Sequence, residues 1–133
     1  MKTNFNLVIV TPEAEVLNET VSFLKFFNSN GEVGVLPNHS STISNITICS
    51  IEYKQEANDS VKKLYIEDGV VKISKTKVLI LSPEVKSIDD FDITKVSEEL
   101  KKVTNSYNNS INYDEKVKYL ARIKQLEAQV SLK

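Results

Sequence analysis

Gly31-Glu32-Val33-Gly34-Val35-Leu36-Pro37-Asn38-His39 is the stretch on which the fold turns. Two glycines and a proline fall within seven positions. Glycine brings no side chain to pack and proline has no N–H for a ladder, so the pattern predicts an edge strand running into a shaped loop. Just before it, Asn28-Ser29-Asn30-Gly31 is a turn cluster.

Upstream lie short apolar runs with a period near two, Val21–Phe27, Ala14–Leu17 and Phe5–Val10. In the last, Phe5, Leu7 and Ile9 alternate with Asn6, Val8 and Val10 before Thr11-Pro12-Glu13 breaks the pattern. Downstream, Ile43, Ile46, Ile48, Ile51 and Tyr53 supply further strands, and the polar segment 55–62 predicts a hairpin tip. Leu64-Tyr65-Ile66-Glu67-Asp68-Gly69-Val70-Val71-Lys72-Ile73 predicts a hairpin with a type I′ turn, because Asp-Gly tolerates two consecutive positive φ angles. Lys75-Thr76-Lys77 then turns into Val78-Leu79-Ile80-Leu81, a buried-looking strand that ends near Pro83. Many short strands without intervening helices predict an antiparallel β-sandwich or flattened barrel over residues 1–86.

The period changes near Ser87. Ile93, Val96, Leu100, Val103 and Tyr107 recur every three or four residues, one apolar stripe on a helix. Asp89, Asp90 and Asp92 at its start and Lys101 and Lys102 near its expected end complement the helix dipole. Segment 105–112 reads as a polar connector, and Asn112 with Glu115 as a capping-box-like start to a second helix from about Tyr113 to Leu132. That helix carries two apolar groups, Val117, Leu120, Ala121 and Ala128 beside Tyr119, Ile123, Leu126 and Val130. A hairpin consumes only one stripe per helix, so the second group predicts a further contact with the sandwich or another protein. The class is α+β, mainly β, with a two-helix antiparallel hairpin over residues 87–133.

Composition excludes several functions. The 133 residues carry 17 basic and 18 acidic side chains, a net charge of −1, which gives no general attraction to nucleic acid or anionic lipid. Spanning a bilayer takes roughly 20 apolar residues, and no run approaches that. The run Leu7–Val10 is also too short for a secretory signal, so the chain is expected to be soluble, without direct membrane insertion, and to reach a membrane only through a partner. Cys49 is the single cysteine, which rules out an internal disulfide, fits a reducing compartment and reads as a small packing residue in a strand. Triplets such as Asn18-Glu19-Thr20 and Asn45-Ile46-Thr47 are read as incidental, not as glycosylation sites.

No phosphate-binding glycine loop and no G-x-S-x-G are present among three glycines. His39, the lone histidine, has neither a metal-ligand cluster nor a nucleophile at readable spacing, so it is expected to be a loop residue in ordinary hydrogen bonds or a protein contact. The three aspartates at the first helix read as helix-start caps in preference to a cation site. No catalytic residue, metal site or cofactor is expected. Lys116, Lys118, Arg122 and Lys124 form either a solvated face or a row of cations for an acidic segment of another subunit.

With these elements in order, Gly31–His39 resembles the "G-E-x-G-(I/V)-L-P-x-H" signature of the epsilon subunit family of F-type ATP synthases. Val8-Ile9-Val10-Thr11-Pro12-Glu13 resembles that family's first strand and "T-P-E" turn. Asp68–Ile73, Lys77–Leu81 and Tyr119-Leu120-Ala121-Arg122-Ile123-Lys124-Gln125-Leu126 fall where the family has a "G-G-F-x-E-V" segment, a "V-T-V-L-A" strand and the second tail helix. The resemblance spans essentially the whole chain. It implies a non-catalytic rotor-stalk subunit whose sandwich binds the gamma subunit and the c-ring. The C-terminal helices would regulate hydrolysis by reaching the catalytic beta subunits. Glu32 and His39 match loop positions that lie toward ring and shaft. The implied location is the cytoplasmic face of a bacterial cell membrane, the alternative being the stromal face of a plastid thylakoid.

There are departures from the family pattern. Ser41 replaces a usual proline, and Asp68 the first of two glycines. Some members bind ATP through "I-D-x-x-R-A" at the first tail helix. Here Ile88 and Asp89 match, but Asp92 and Ile93 stand where Arg and Ala would be. Losing a charged hydrogen bond costs about 1.5–3 kcal/mol, roughly 10–150-fold in affinity. Arg122 remains as a residual contact, and weak or absent ATP binding is expected. The alternatives are a small ATP-sensing module and a generic protein-interaction sandwich.

Overall fold

A computed structural model describes residues 3–55 and 60–133 of the chain. Residues 56–59 of the expected 55–62 tip lie outside the described residues. Among the described residues nine strands come first: β1 Phe5–Val10, β2 Glu15–Asn28, β3 Gly31–Val35, β4 Thr42–Ile46, β5 Cys49–Gln55, β6 Val61–Ile66, β7 Gly69–Ile73, β8 Lys77–Leu81 and β9 Val85–Lys86. A single 3₁₀ turn, Ile88–Asp90, leads to helices α1, Ile93–Asn109, and α2, Tyr113–Val130.

The strands form one sheet in the order β4-β7-β8-β1-β2-β5-β6-β9, with β3 paired to β2. It folds over on itself as a sandwich. Leu7, Ile9, Val71, Ile73, Val78 and Ile80 of one layer meet Leu24, Phe26, Ile51, Tyr53 and Ile66 of the other in a single buried cluster. β2 serves both layers. Its first half pairs with β1, and its second half lies between β5 and β3. This is why the two expected runs Ala14–Leu17 and Val21–Phe27 merge into a 14-residue strand through polar Asn18-Glu19-Thr20. Register shifts at Ile9/Val10 and Val21/Phe23 mark the places where bulges redirect the strand.

Pairing differs from expectation in two further places. β1 and β8 run parallel, the one parallel pair among the described strands. The expected Leu64–Ile73 hairpin does not form, because β6 pairs with β5 and β9 while β7 pairs with β4 and β8. Asp68 and Gly69 do adopt positive φ, +59° and +150°. The turn nevertheless carries the chain from one layer to the other. Local chemistry selected the bend, and burial of alternate side chains in two layers selected the partners. A Cβ on Gly69 would sit 2.3 Å from the Leu81 carbonyl oxygen, so glycine is required here by close backbone approach. Ser82, buried beside it, donates to the Asp68 carbonyl at 2.7 Å.

Asp92 is the N-cap of α1, its carboxylate accepting from the Lys95 N–H at 3.3 Å. Asp90 accepts from the Ser87 N–H at 2.8 Å to close the 3₁₀ turn. α1 runs on to Asn109, through part of the expected connector, which leaves Lys101 and Lys102 in mid-helix. Packing along α2 outweighs the weak helix propensity of Asn105, Ser106, Asn108 and Asn109. Asn112 caps α2 by accepting from the N–H groups of Asp114 and Glu115 at 2.9 and 3.3 Å.

Candidate protein-docking site

The alternation that fills the core also sets what the outer face of the β4-β7-β8-β1 layer displays. Two cross-strand rows lie there, Ile43–Lys72–Leu79–Val8 and Asn45–Val70–Leu81–Val10. Their members alternate along each strand with the core residues Val71, Ile73, Val78, Ile80, Leu7 and Ile9. Six of the eight are apolar, with Val8 buried, Leu79 and Val10 half-buried and the other three exposed. Ile43 is 70% exposed, Val70 46% and Leu81 47%, and Val16 on β2 is 43% exposed. Beside Leu81 a shallow depression of about 380 Å³ is lined by Val10, Thr11, Pro12, Leu81, Ser82 and Pro83. Contiguous exposed apolar side chains on a sheet face mark an interaction surface far more often than singly scattered ones do.

These residues were not singled out from the sequence, although a signal was there. Val78-Leu79-Ile80-Leu81 and Val70-Val71 are apolar at both parities, the mark of a strand covered on both faces. Among the described residues the second face stays exposed at Ile43, Val70 and Leu81.

The expected contact residues are dispersed. Glu32 lies on the edge strand β3, exposed, and pairs with Lys25 at 3.2 Å. His39 lies in the following loop, its Nδ1 2.8 Å from the Ser40 carbonyl oxygen. In the same loop Leu36 is 61% exposed and Asn38 takes a φ of +66°. Of the tail cations, Lys116 sits 5.5 Å from the centre of the Tyr107 ring, and Lys118 is exposed. Lys124 lines a cleft under α2, while Arg122 is engaged with α1. They do not form a single row.

Arg122 donates through Nε and Nη2 to the Glu99 carboxylate at 3.0–3.1 Å, and through Nη1 to Gln125 Oε1 at 2.9 Å. Ile88 and Asp89 belong to the 3₁₀ turn, and neither engages Arg122. Phe91, just beyond, meets Tyr65 edge-on with ring centres 5.5 Å apart. Burial, and the hydrogen bond that the Tyr65 hydroxyl donates to the Glu67 carboxylate, push that hydroxyl well above its ordinary value.

The cleft between the C-terminal half of α2 and the sheet has a volume of about 810 Å³. Lys25, Lys63 and Lys124 face Glu52, Glu127 and Asp68 across it, so it carries no excess of either charge. Lys25 makes a short contact with Glu52, which holds that carboxyl below the usual range, and Glu52 with Glu32 raises the Lys25 ammonium. Cys49 lies in the wall, and burial raises its thiol. Among the described residues no group of three His, Cys, Asp or Glu is placed to hold a metal ion. No helix among the described residues is long and apolar enough to cross a membrane.

Known proteins share this architecture. Residues 4–87 match the family described as "ATP synthase, Delta/Epsilon chain, beta-sandwich domain". An ATP synthase epsilon chain from Desulfitobacterium hafniense (strain Y51) is 38% identical over 93 residues, 70% of this chain and 69% of that one. One from Ureaplasma parvum is 29% identical over 122 residues, covering 92% and 90%. In fold, the chain resembles one in the Euglena gracilis mitochondrial ATP synthase with OSCP, F1 and c-ring. The TM-score is 0.84 at 18% identity, with 98% of this chain and 82% of that one covered. A chain of the Tetrahymena thermophila mitochondrial ATP synthase central stalk and c-ring gives a TM-score of 0.64 at 13% identity, covering 98% and 96%. The matched segment is the one that builds the apolar sheet face, and on the strength of that match the chain belongs to the ATP synthase epsilon chain family.

Proposed function

We propose that this epsilon chain docks its outer apolar sheet face onto the gamma subunit and turns its 36–41 loop toward the c-ring, so that shaft and ring rotate together. An epsilon chain is a non-catalytic subunit, and its contribution to ATP synthesis is mechanical. What supports the docking reading is the face itself, where Ile43, Val70 and Leu81 are 46–70% exposed side by side. A stable interface takes about 800 Å² from each partner, and each such side chain contributes roughly 1–2 kcal/mol when fully covered. Glu32 and His39, on the edge strand and loop beyond the same sheet, are proposed as polar contacts at the rim of that surface. The F1 portion to which epsilon chains belong is peripheral to the membrane; the cytoplasmic face of a bacterial cell membrane is our proposal for this one.

Residues 1–86 form the docking unit in this reading. Residues 87–133 form a regulatory unit that restrains ATP hydrolysis by contact with the catalytic beta subunits, with Lys116, Lys118 and Lys124 as its charged contacts. Tyr113, Val117 and Leu120 remain exposed on α2, an apolar edge suited to such a contact. ATP is not expected to be its ligand, because Arg122 already spends its donors on Glu99 and Gln125.

Binding of the chain to a gamma-containing catalytic complex tests the docking reading. Leu81→Glu should weaken it roughly 30-fold, the equivalent of about 2 kcal/mol at a central contact. Unchanged affinity with both Leu81→Glu and Val70→Glu would move the docking surface elsewhere.

A further inference from the structure

The turn Asn28-Ser29-Asn30-Gly31, which the docking reading leaves unused, sets a reactive pair of residues at the end of the β2–β3 hairpin. Asn28 at its first position accepts from the Asn30 N–H at 2.8 Å, and glycine stands at its fourth, the residue choice of a type I turn. The Asn28 amide also donates to Ser44 Oγ at 3.1 Å and is held there. Asn30 is exposed, and no hydrogen bond holds its side chain among the described residues. Gly31 is exposed too, at a φ of +121°, and a Cβ built on it would meet nothing within 4 Å. This is the one Asn-Gly pair in the chain. The related pair Asp68-Gly69 is packed, with the Leu81 carbonyl oxygen against Gly69 and the Asp68 carbonyl accepting from buried Ser82. Asn105, Asn108 and Asn109 lie within α1, where helical hydrogen bonds hold the backbone, and the Asn112 side chain caps α2.

We propose that Asn30 is a site of spontaneous deamidation through a cyclic imide. The Gly31 backbone nitrogen gives up its proton to hydroxide and attacks Asn30 Cγ. The new N–Cγ bond closes a five-membered ring, the Cγ–Nδ2 bond breaks, and the amide nitrogen takes a proton and leaves as ammonia. Water then opens the ring at either carbonyl. Cleavage of the N–Cγ bond gives aspartate. Cleavage between the Gly31 nitrogen and the main-chain carbonyl carbon gives isoaspartate, whose chain runs on through the former side chain. Glycine favours the attack because a Cβ would crowd the nucleophilic nitrogen. Either product adds one negative charge to a net of −1, two residues from Glu32. Isoaspartate also inserts a main-chain carbon at the turn that sets the register Asn28↔Gly31 and Phe27↔Glu32, and so shifts Glu32 from Lys25, 3.2 Å away in the intact chain. What a shifted Glu32 does in the assembly rests on the rim reading above; the reaction belongs to the chain alone, and its test needs no partner.

The full-length chain is incubated in mildly alkaline oxygen-18 water, which marks each new carboxylate for peptide mass spectrometry, and isoaspartyl methyltransferase counts the isoaspartate. Asn30 should convert ahead of every other asparagine, faster in alkaline than in mildly acidic buffer, while Asp68 forms isoaspartate only once denaturant is added. Asn30→Gln, which would have to close a larger ring, should lower the yield of the more acidic species at least about tenfold. If Asn30 stays intact over a span in which the denatured chain converts, if another asparagine converts first, or if the acidic species persists in Asn30→Gln, the assignment is overturned.

Discussion

At the scale of single residues, geometry assigns jobs that residue type alone leaves open. Gly69 is held at positive φ with a carbonyl oxygen where a side chain would begin. Gly69→Ala should therefore cost about 1–3 kcal/mol in chemical denaturation, despite adding only a methyl group. The Lys25–Glu52 pair predicts a pH signature. Glu52 titrates below its ordinary 4.5, so its contribution is present above that value and is lost as the pH falls through the lowered one. Lys25 titrates above 10.5, so its contribution holds up to there and fades beyond. Glu52→Gln should lower stability between those limits, by no more than about 1 kcal/mol for a pair this exposed. The deficit should shrink as the pH falls through the lowered Glu52 value, which denaturation at a series of pH values from 7 into acid would reveal. Asp92 was legible as a helix start because an N-cap needs only a side-chain oxygen and a following run. The engagement of Arg122 with Glu99 was not legible, since 23 residues separate them and only the packing angle of two helices brings them together.

Among the elements, those governed by local periodicity read cleanly from the sequence: β1, the edge strand β3, the β7–β8 turn, α2 and the start of α1, whose end was placed too early. Pairing did not follow from local signals. The Asp68-Gly69 bend has the backbone of a tight turn but joins strands with different neighbours, because the sandwich is completed by partners distant in sequence. The polar middle of β2 concealed a single strand for a related reason, since exposure at the end of the sandwich looks like a loop to any rule based on hydrophobicity. The helices lead to a functional expectation at this scale. Removal of residues 88–133 should raise ATP hydrolysis by the assembled enzyme if α1 and α2 restrain it, and an unchanged rate in a turnover assay would leave the chain with coupling alone. Isothermal titration of the full chain with ATP should show no micromolar binding; a micromolar constant would mean that the Glu99 fork yields to phosphate.

Across the whole molecule, the sandwich spends one side of a layer on its own core and leaves the other apolar. Such a face persists when a partner covers it in the working assembly. The Gly31–His39 motif pointed to the family, yet the candidate docking face lies on a different part of the sheet, written in both-parity apolar runs that a single-face reading passes over. Its burial in the assembled enzyme is the claim on which the proposed coupling role rests. The direct measurement is maleimide labelling of Leu81→Cys, free and assembled with the gamma-containing complex, with Tyr113→Cys as an exposed control. Cys49 contributes little background, being buried with its thiol raised. The account predicts that Leu81→Cys labels readily in the free chain and is protected on assembly; labelling at the same rate in both states would contradict it.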